Sequence, residues 1–246
     1  MFRKIFDDLK YCKNKRFDTI AGTLSFFFIL SFVPLLYLCV SLYVNICDWL
    51  NLSVTIPEVI QTYISFDVGA SASIFFIITT IYSASKFFTQ LRKTGEIVYN
   101  VKKPRITIKT QLFSCLFVIL LMLMVCTGFL VISVGNTFFK FAWAKSLVTI
   151  LTYIVILLMV FGFLCIINKN ACQLDVKLKN LYGGILFSLA YVTIVSVFFI
   201  IYVTYVADFE KLYGVFSTIV IAFLYVYLMM QGIVIGIIKN EKKLKE

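Results

Sequence analysis

The chain has 246 residues, of which 61% are hydrophobic and 14% charged, and its formal net charge is +11. A soluble domain is about half apolar and about a quarter charged, so this composition, with its apolar residues in long blocks, excludes a soluble protein. The sequence has no histidine, the commonest general base and imidazole ligand, and no CxxC pair among its seven cysteines. We therefore predict no metal site and no cofactor.

Six apolar blocks are long enough to cross a bilayer, whose hydrocarbon core of about 30 Å requires about 20 helical residues. None of the blocks contains Asp or Glu. Backbone polar groups in hydrocarbon must be bonded within their own segment, which favours helices. We predict an all-α polytopic membrane protein, a single transmembrane domain over residues 1–246 built as a bundle of six transmembrane helices. The spans are expected at about 19–44, 69–90, 112–135, 145–167, 182–207 and 215–238.

The basic residues are distributed unevenly between the segments that flank these spans. One alternating set of segments, which includes both termini, holds 19 basic residues, and the other set holds 3. The positive-inside rule then predicts that both termini are cytoplasmic. In this orientation Cys47 should react with a membrane-impermeant thiol reagent on intact cells, whereas Cys12 and Cys172 should not. Loop charges of this kind also account for the net charge without a nucleic-acid partner.

The first predicted span contains a proline and several small residues. Pro34 has no N–H, so the carbonyl of Leu30 loses its helical partner and a kink is predicted. Ser31 is close enough in sequence to help satisfy that carbonyl. Gly22 and Ser25 lie on a small-residue face that suits close helix packing. A kinked helix of this type fits either a cavity or a well-packed bundle, and the sequence leaves both open.

The second predicted span carries a polar stripe. Thr79, Ser83, Lys86 and Gln90 recur at i, i+4, i+7 and i+11, which places them on one helical face. A charge within a span is a functional candidate, so we interpret this stripe as part of a substrate path. For Lys86 itself we favour the alternative, in which its ammonium group extends to the lipid headgroups or pairs structurally.

Polar residues in the later spans are concentrated in the fifth and sixth. The third and fourth spans have few polar groups and are expected to face lipid. In the sixth span, Gly214, Gly232 and Gly236 fall on one side, and the last two form a GxxxG pair that favours close packing. Tyr191 in the fifth span and Gln231 in the sixth lie deep enough to join Ser31 as substrate-path candidates. The first span is therefore expected to pack against the second, fifth and sixth.

Three segments resemble a known family. TIAGTLSFFFILSFVPLLYL (Thr19–Leu38) resembles the first-span signature of the YihY/BrkB family, bacterial inner-membrane proteins formerly linked to ribonuclease BN and to serum-resistance virulence factors. Ile81–Arg105 resembles the second span and following loop of that family, and Asp208–Gly236 its last external turn and last span. The resemblance implies a multi-pass protein of the plasma (inner) membrane. Members often end the last span with Gly-Ala-Glu, whereas here Gly236 is followed by Ile237 and Ile238.

The sequence argues against an enzyme. Metal-dependent hydrolysis of RNA requires clustered carboxylates or histidines, and this chain has no histidine and scattered cytoplasmic acids, so we do not expect a ribonuclease. It also lacks a P-loop, a GxSxG and an HExxH motif. We predict transport or export of a small or amphipathic molecule. The alternative is a non-transporting membrane protein that organises an envelope complex or lipid contacts, which the absence of acids from the spans favours. The expected partners are the lipid bilayer, further copies of the chain or envelope proteins.

Overall fold

The described part of the chain is helical. The computed structural model describes residues 10–50, 70–100, 142–172, 174, 176–205 and 215–245. Within these ranges the structure has a short helix at residues 10–14, five long helices and no strand. The long helices are α1 (Phe17–Leu50), α2 (Ala70–Tyr99), α3 (Ala142–Ala171), α4 (Leu178–Tyr205) and α5 (Val215–Lys245). The predicted all-α class is confirmed.

Each long helix has the length and apolar composition needed to cross a membrane. The candidate spans are Phe17–Ile46, Ile74–Tyr99, Tyr153–Ala171, Leu178–Thr204 and Val220–Lys245. They correspond to the first, second, fourth, fifth and sixth predicted spans. The predicted span at 112–135 lies outside the described residues.

Four of the long helices continue past the carboxyl ends of their predicted spans, and the extensions are longest in α2 and α5. Helix α2 extends from Gln90 to Tyr99, because Leu91 and Val98 keep a buried apolar face through this polar segment. Helix α5 extends beyond Ile238 to Lys245, and its polar extension is also partly buried. Hydropathy alone ends both spans too early, since packed neighbours rather than lipid stabilise these last turns.

Helix α1 continues on both sides of Pro34, whose side chain is buried. Nearer the amino-terminal end of α1, the buried Ser25 donates a hydrogen bond of 2.8 Å to the carbonyl of Gly22. Several other hydroxyl groups bond back to the carbonyl four residues earlier, which lets polar side chains lie within apolar helices. These are Thr23, Thr79, Thr80, Thr94, Thr193 and Thr204.

The described residues form two compact units. The first unit draws on the ranges 1–29, 87–106 and 161–246, and the second on 30–86 and 107–160. Helices α1, α2 and α3 each contribute residues to both. The two units are therefore made of interleaved segments rather than successive stretches of chain.

The first unit has a core built around the whole of α4 and α5. α5 also contacts α1, since a Cβ on Gly22 would lie 3.9 Å from Tyr227 Cε2. The rings of Phe28 on α1 and Phe87 on α2 have centroids 5.7 Å apart. The fully buried apolar side chains of this unit include Leu24, Leu91, Leu164, Ile167, Leu181, Ile185 and Ile237.

In the second unit an aromatic pair joins α1 and α2. The rings of Tyr37 and Phe76 have centroids 4.5 Å apart with an interplanar angle of 34°. Cys39, Val40 and Tyr43 on α1 are buried.

The exposed surface of the spans is mostly apolar, as a lipid-facing surface requires. Helix α3 has a run of exposed large side chains from Ile150 to Leu158, in line with the sequence prediction for the fourth span. Helix α4 is more exposed than we predicted for the fifth span. Only 17% of its most apolar stretch is buried, compared with 44% of the corresponding stretch of α5. Gly184 and Ser188 of α4 contact α5, and the ring of Tyr182 lies 6.4 Å, centroid to centroid, from that of Phe161 on α3.

Candidate functional site

The predicted polar stripe of α2 is divided between buried and exposed positions. Ser83 is 1% exposed, whereas Lys86 is exposed and its ammonium nitrogen lies 5.2 Å from the Tyr82 ring centroid. Thr79 and Gln90 are half-buried. The buried face of α2 is shifted by about one residue toward the carboxyl end relative to the predicted stripe. The large apolar side chains determine which face of the helix is buried. This face comprises Thr80, Ser83, Ala84, Phe87, Phe88 and Leu91.

Ser83 differs from the other hydroxyl-bearing residues of the described spans. Its Oγ is buried and has no hydrogen-bond partner. Thr80, one turn before it, is also buried but donates a 2.7 Å bond to the carbonyl of Phe76. An unpaired buried hydroxyl costs about 1–3 kcal/mol, so this group is an unusual feature of the second unit.

The remaining substrate-path candidates each have their own contacts. Gln231 on α5 donates a 3.1 Å hydrogen bond to Asp18 Oδ1 on α1, which supplies the partner that its sequence context requires. The ring of Tyr191 on α4 lies against Gly232 of α5. Ser31 is half-buried. Gly214 lies outside the described residues. The roles of these residues in a substrate path stay predictions.

Close approach of α4 and α5 depends on three glycines. A Cβ on Gly184 would collide with the carbonyl oxygen of Gly236, and a Cβ on Gly236 would collide with Ser188 Oγ. A Cβ on Gly232 would lie 2.7 Å from Tyr191 Cγ. Gly232 and Gly236 are the GxxxG pair of the sequence, and their missing side chains let the two backbones meet.

A buried chain of amides extends from this contact to α3. The backbone N–H of Gly184 donates to Asn240 Oδ1 at 2.7 Å, and Asn240 Nδ2 donates to Asn168 Oδ1 at 2.9 Å. Asn168 Nδ2 in turn donates to the carbonyl of Leu164 at 3.0 Å. Both asparagines are 1% exposed. We call Asn168, Asn240 and Gly184 the asparagine chain; it joins α3, α4 and α5 through satisfied hydrogen bonds.

The next residue of α5 after Asn240 is Glu241, a buried carboxylate that contacts two lysine ammonium groups and a tyrosine hydroxyl. Glu241 is 1% exposed, and its Oε1 lies 2.6 Å from Lys245 Nζ and 3.5 Å from Lys15 Nζ. The hydroxyl of Tyr11 donates to Oε2 at 2.6 Å. Lys15 also donates to the carbonyl of Val98 on α2 at 2.6 Å. We call Tyr11, Lys15, Glu241 and Lys245 the Glu241 cluster.

The Glu241 cluster keeps its phenol protonated. Burial, followed by the hydrogen bond to Glu241 and the negative charge of that carboxylate, raises the pKa of Tyr11 to about 12. The Tyr11 hydroxyl therefore donates to Glu241 throughout the physiological pH range. The cluster connects the short helix at residues 10–14 to the ends of α2 and α5.

Sequence reasoning missed the asparagine chain and the Glu241 cluster. Two weak signals were present: Gly232, Gly236 and Asn240 continue at i, i+4 and i+8, and Glu241 and Lys245 form an i, i+4 pair. Chemically, these groups tie helices together, and the two lysines and the Tyr11 hydroxyl stabilise the charged form of the Glu241 carboxylate. No group of three or more His, Cys, Asp or Glu residues in the described ranges is arranged to hold a metal ion.

One of three comparisons with known proteins identifies a family for this chain. The family model described as "Virulence factor BrkB" matches residues 9–241. No curated protein and no solved structure matches the chain. The family match covers nearly the whole sequence, and the five described spans are apolar and helical. The chain is therefore a multi-pass integral membrane protein that belongs to the BrkB virulence factor family.

Proposed function

We propose that this protein transports a small or amphipathic molecule across the bacterial plasma membrane, and that Ser83 lies on the path of that molecule. The observation that carries the proposal is the buried Ser83 hydroxyl without a hydrogen-bond partner. Native proteins leave few buried polar groups unpaired, and those that they leave call for an explanation. A hydroxyl that is neither bonded to its own helix nor exposed can donate to, or accept from, a polar group of a passing solute.

The Glu241 cluster supports the transport proposal indirectly. The sequence argument against transport was that the spans contain no acid, but the last candidate span extends to Lys245 and includes the buried Glu241. Lys86, by contrast, is exposed, which favours the alternative in which its ammonium extends to the headgroups.

We propose no enzymatic activity and no nucleic-acid partner. Two of the acids in the described region, Asp18 and Glu241, are engaged in structural contacts. Asp18 accepts a hydrogen bond from Gln231, and Glu241 is paired with two lysines. These arrangements support the view that neither carboxylate is available to activate water for hydrolysis.

Replacing Ser83 by alanine tests the transport proposal. We expect the wild-type gene to restore the solute profile of a deletion strain. Ser83→Ala should restore it about two- to thirteenfold less efficiently, since one hydrogen bond contributes about 0.5–1.5 kcal/mol. The measurement is metabolite and lipid profiling at matched protein levels. Thr193→Ala is the control, because Thr193 is exposed and its hydroxyl bonds only to its own helix.

Full restoration by Ser83→Ala would remove Ser83 from the path. If the deletion changes envelope composition but no solute level, transport itself is wrong, and the non-transporting alternative takes its place.

Membrane orientation requires a test that differs from the one suggested by the sequence. Cys12 and Cys172 are buried, at 7% and 2% exposure, so their failure to react would not report sidedness. We expect Trp49→Cys to react with an impermeant maleimide on intact cells and Asn14→Cys to react only after permeabilisation, because the positive-inside rule places the amino terminus inside. Both positions are exposed. The parent protein gives the background labelling, and the opposite pattern would reverse the orientation.

A further inference from the structure

Three exposed lysines, Lys179 on α4 and Lys239 and Lys243 on α5, lie along the line where the two helices meet. We call this line the basic seam. Lys239 and Lys243 are one turn apart on α5, and Lys179, Gly183 and Phe187 follow one another at the same spacing on α4. All three lysines are exposed. Within the described ranges, none of their ammonium groups forms an ion pair with a carboxylate. The seam therefore carries uncompensated positive charge.

Two contacts bring the lysines of α5 onto this face of α4. The ammonium nitrogen of Lys239 lies 4.5 Å from the ring centroid of Phe187. The ammonium nitrogen of Lys243 lies 4.0 Å from the position that a Cβ on Gly183 would occupy. Since Gly183 has no side chain, the Lys243 ammonium can approach the α4 backbone at this point. The charges are thus held at the edge of the helix pair.

An exposed apolar stripe leads away from the lysines along α4. From Gly183 to Ile201 the helix rises by about 27 Å, close to the thickness of a hydrocarbon core, about 30 Å. The stripe follows helical spacing and comprises Leu186, Ile194, Val197 and Ile201, which are between 47% and 55% exposed. It offers an acyl chain a continuous apolar surface that begins at the basic seam.

We propose that the seam formed by Lys179, Lys239 and Lys243 binds the phosphate of an anionic phospholipid, whose acyl chains lie along the exposed stripe of α4. Basic sites at the ends of membrane helices recognise anionic headgroups by charge complementarity. Inorganic phosphate shares the headgroup charge but cannot use the stripe. A zwitterionic phospholipid can use the stripe but has no net charge. The proposal is independent of any transport activity.

Lipid titration of the purified full-length protein in detergent tests this site. We expect native mass spectrometry to show phosphatidylglycerol binding that Lys239→Gln/Lys243→Gln weakens about 30-fold, since each lysine near an anionic surface contributes about 1 kcal/mol. Lys179→Gln, a milder change, should weaken binding about fivefold. The control Lys13→Gln/Lys93→Gln removes the same charge from exposed positions elsewhere and should alter binding less than twofold.

Three results would overturn the proposal. The first is equal binding of phosphatidylglycerol by the seam variants and the control. The second is equally tight binding of phosphatidylcholine, which would show that charge is not recognised. The third is displacement of phosphatidylglycerol by inorganic phosphate at equal concentration, which would identify a site for free anions. Lys179→Gln keeps the test valid if the double variant does not fold.

Discussion

Replacing Gly184 by alanine is expected to destabilise the protein by about 3 kcal/mol, the upper part of the usual range for overpacking a close contact. The same change at the adjacent Gly183 is expected to be neutral or slightly stabilising. Both residues lie in the interior of α4, so both substitutions gain the same helical preference, about 0.5–1 kcal/mol. The difference between the two variants therefore measures what the added methyl group meets.

At Gly184 the methyl group meets groups that cannot move away. A Cβ there would collide with the carbonyl oxygen of Gly236 and lie 2.5 Å from the amide carbon of Asn240. That amide is fixed by its bonds to the Gly184 N–H and to Asn168. The helices must separate or the asparagine chain must break. At Gly183 the nearest atom is the flexible end of Lys243, at 4.0 Å.

The measurement is thermal unfolding in detergent with a thiol-reactive fluorophore, which detects buried cysteines as they become exposed. Cys12, Cys39 and Cys172 are buried and are not in disulfide bonds, so the signal is built into the protein. We expect Gly184→Ala to lower the midpoint by about 9 °C, using 2–4 °C per kcal/mol for a chain of this size. Equal midpoints for the Gly183 and Gly184 variants would show that α4 and α5 are not in this close contact.

Hydropathy was sufficient to predict the helices, because lipid imposes the same requirement on every residue of a span. The apolar blocks therefore locate α1 to α5 without knowledge of any neighbour. The close packing of Gly232 and Gly236 could be suggested from their spacing, but which helix they meet could not. That information lies in Gly184 and Ser188, about 50 residues earlier in the sequence.

Hydropathy was not sufficient at the end of α5. It ends the predicted span at residue 238, before Asn240 and Glu241, which are buried. A charged residue becomes compatible with burial when its partners arrive from elsewhere in the chain. For Glu241 two of these partners, Tyr11 and Lys15, lie 230 and 226 residues away in sequence. No local pattern encodes such a contact. In α2, by contrast, local polarity selected both Ser83, which is buried, and Lys86, which is exposed.

Removing both cations of the Glu241 cluster is expected to be more damaging than removing its anion. Lys15→Met/Lys245→Met should destabilise the protein by about 3 kcal/mol, because a buried charge that loses its partners retains its full desolvation penalty. Methionine preserves much of the packing of the lysine stem. Glu241→Gln should cost about 1 kcal/mol, since the lysine side chains left behind are 20% and 59% exposed and can be hydrated. Lys15 also keeps its bond to the carbonyl of Val98.

The decisive measurement adds Glu241→Gln to the double lysine variant. If burial of an unpaired carboxylate is the cause, the triple variant should recover most of the lost stability, about 2 kcal/mol, although it lacks every charge of the cluster. Thermal unfolding of the four proteins, wild type included, gives this cycle. Lys10→Met/Lys13→Met is the matched control, because both lysines are exposed and removing them changes the net charge equally. A triple variant no more stable than the double would mean that Lys15 and Lys245 act through packing, and that Glu241 is not held as a buried anion at the meeting point of α2, α5 and the amino-terminal helix.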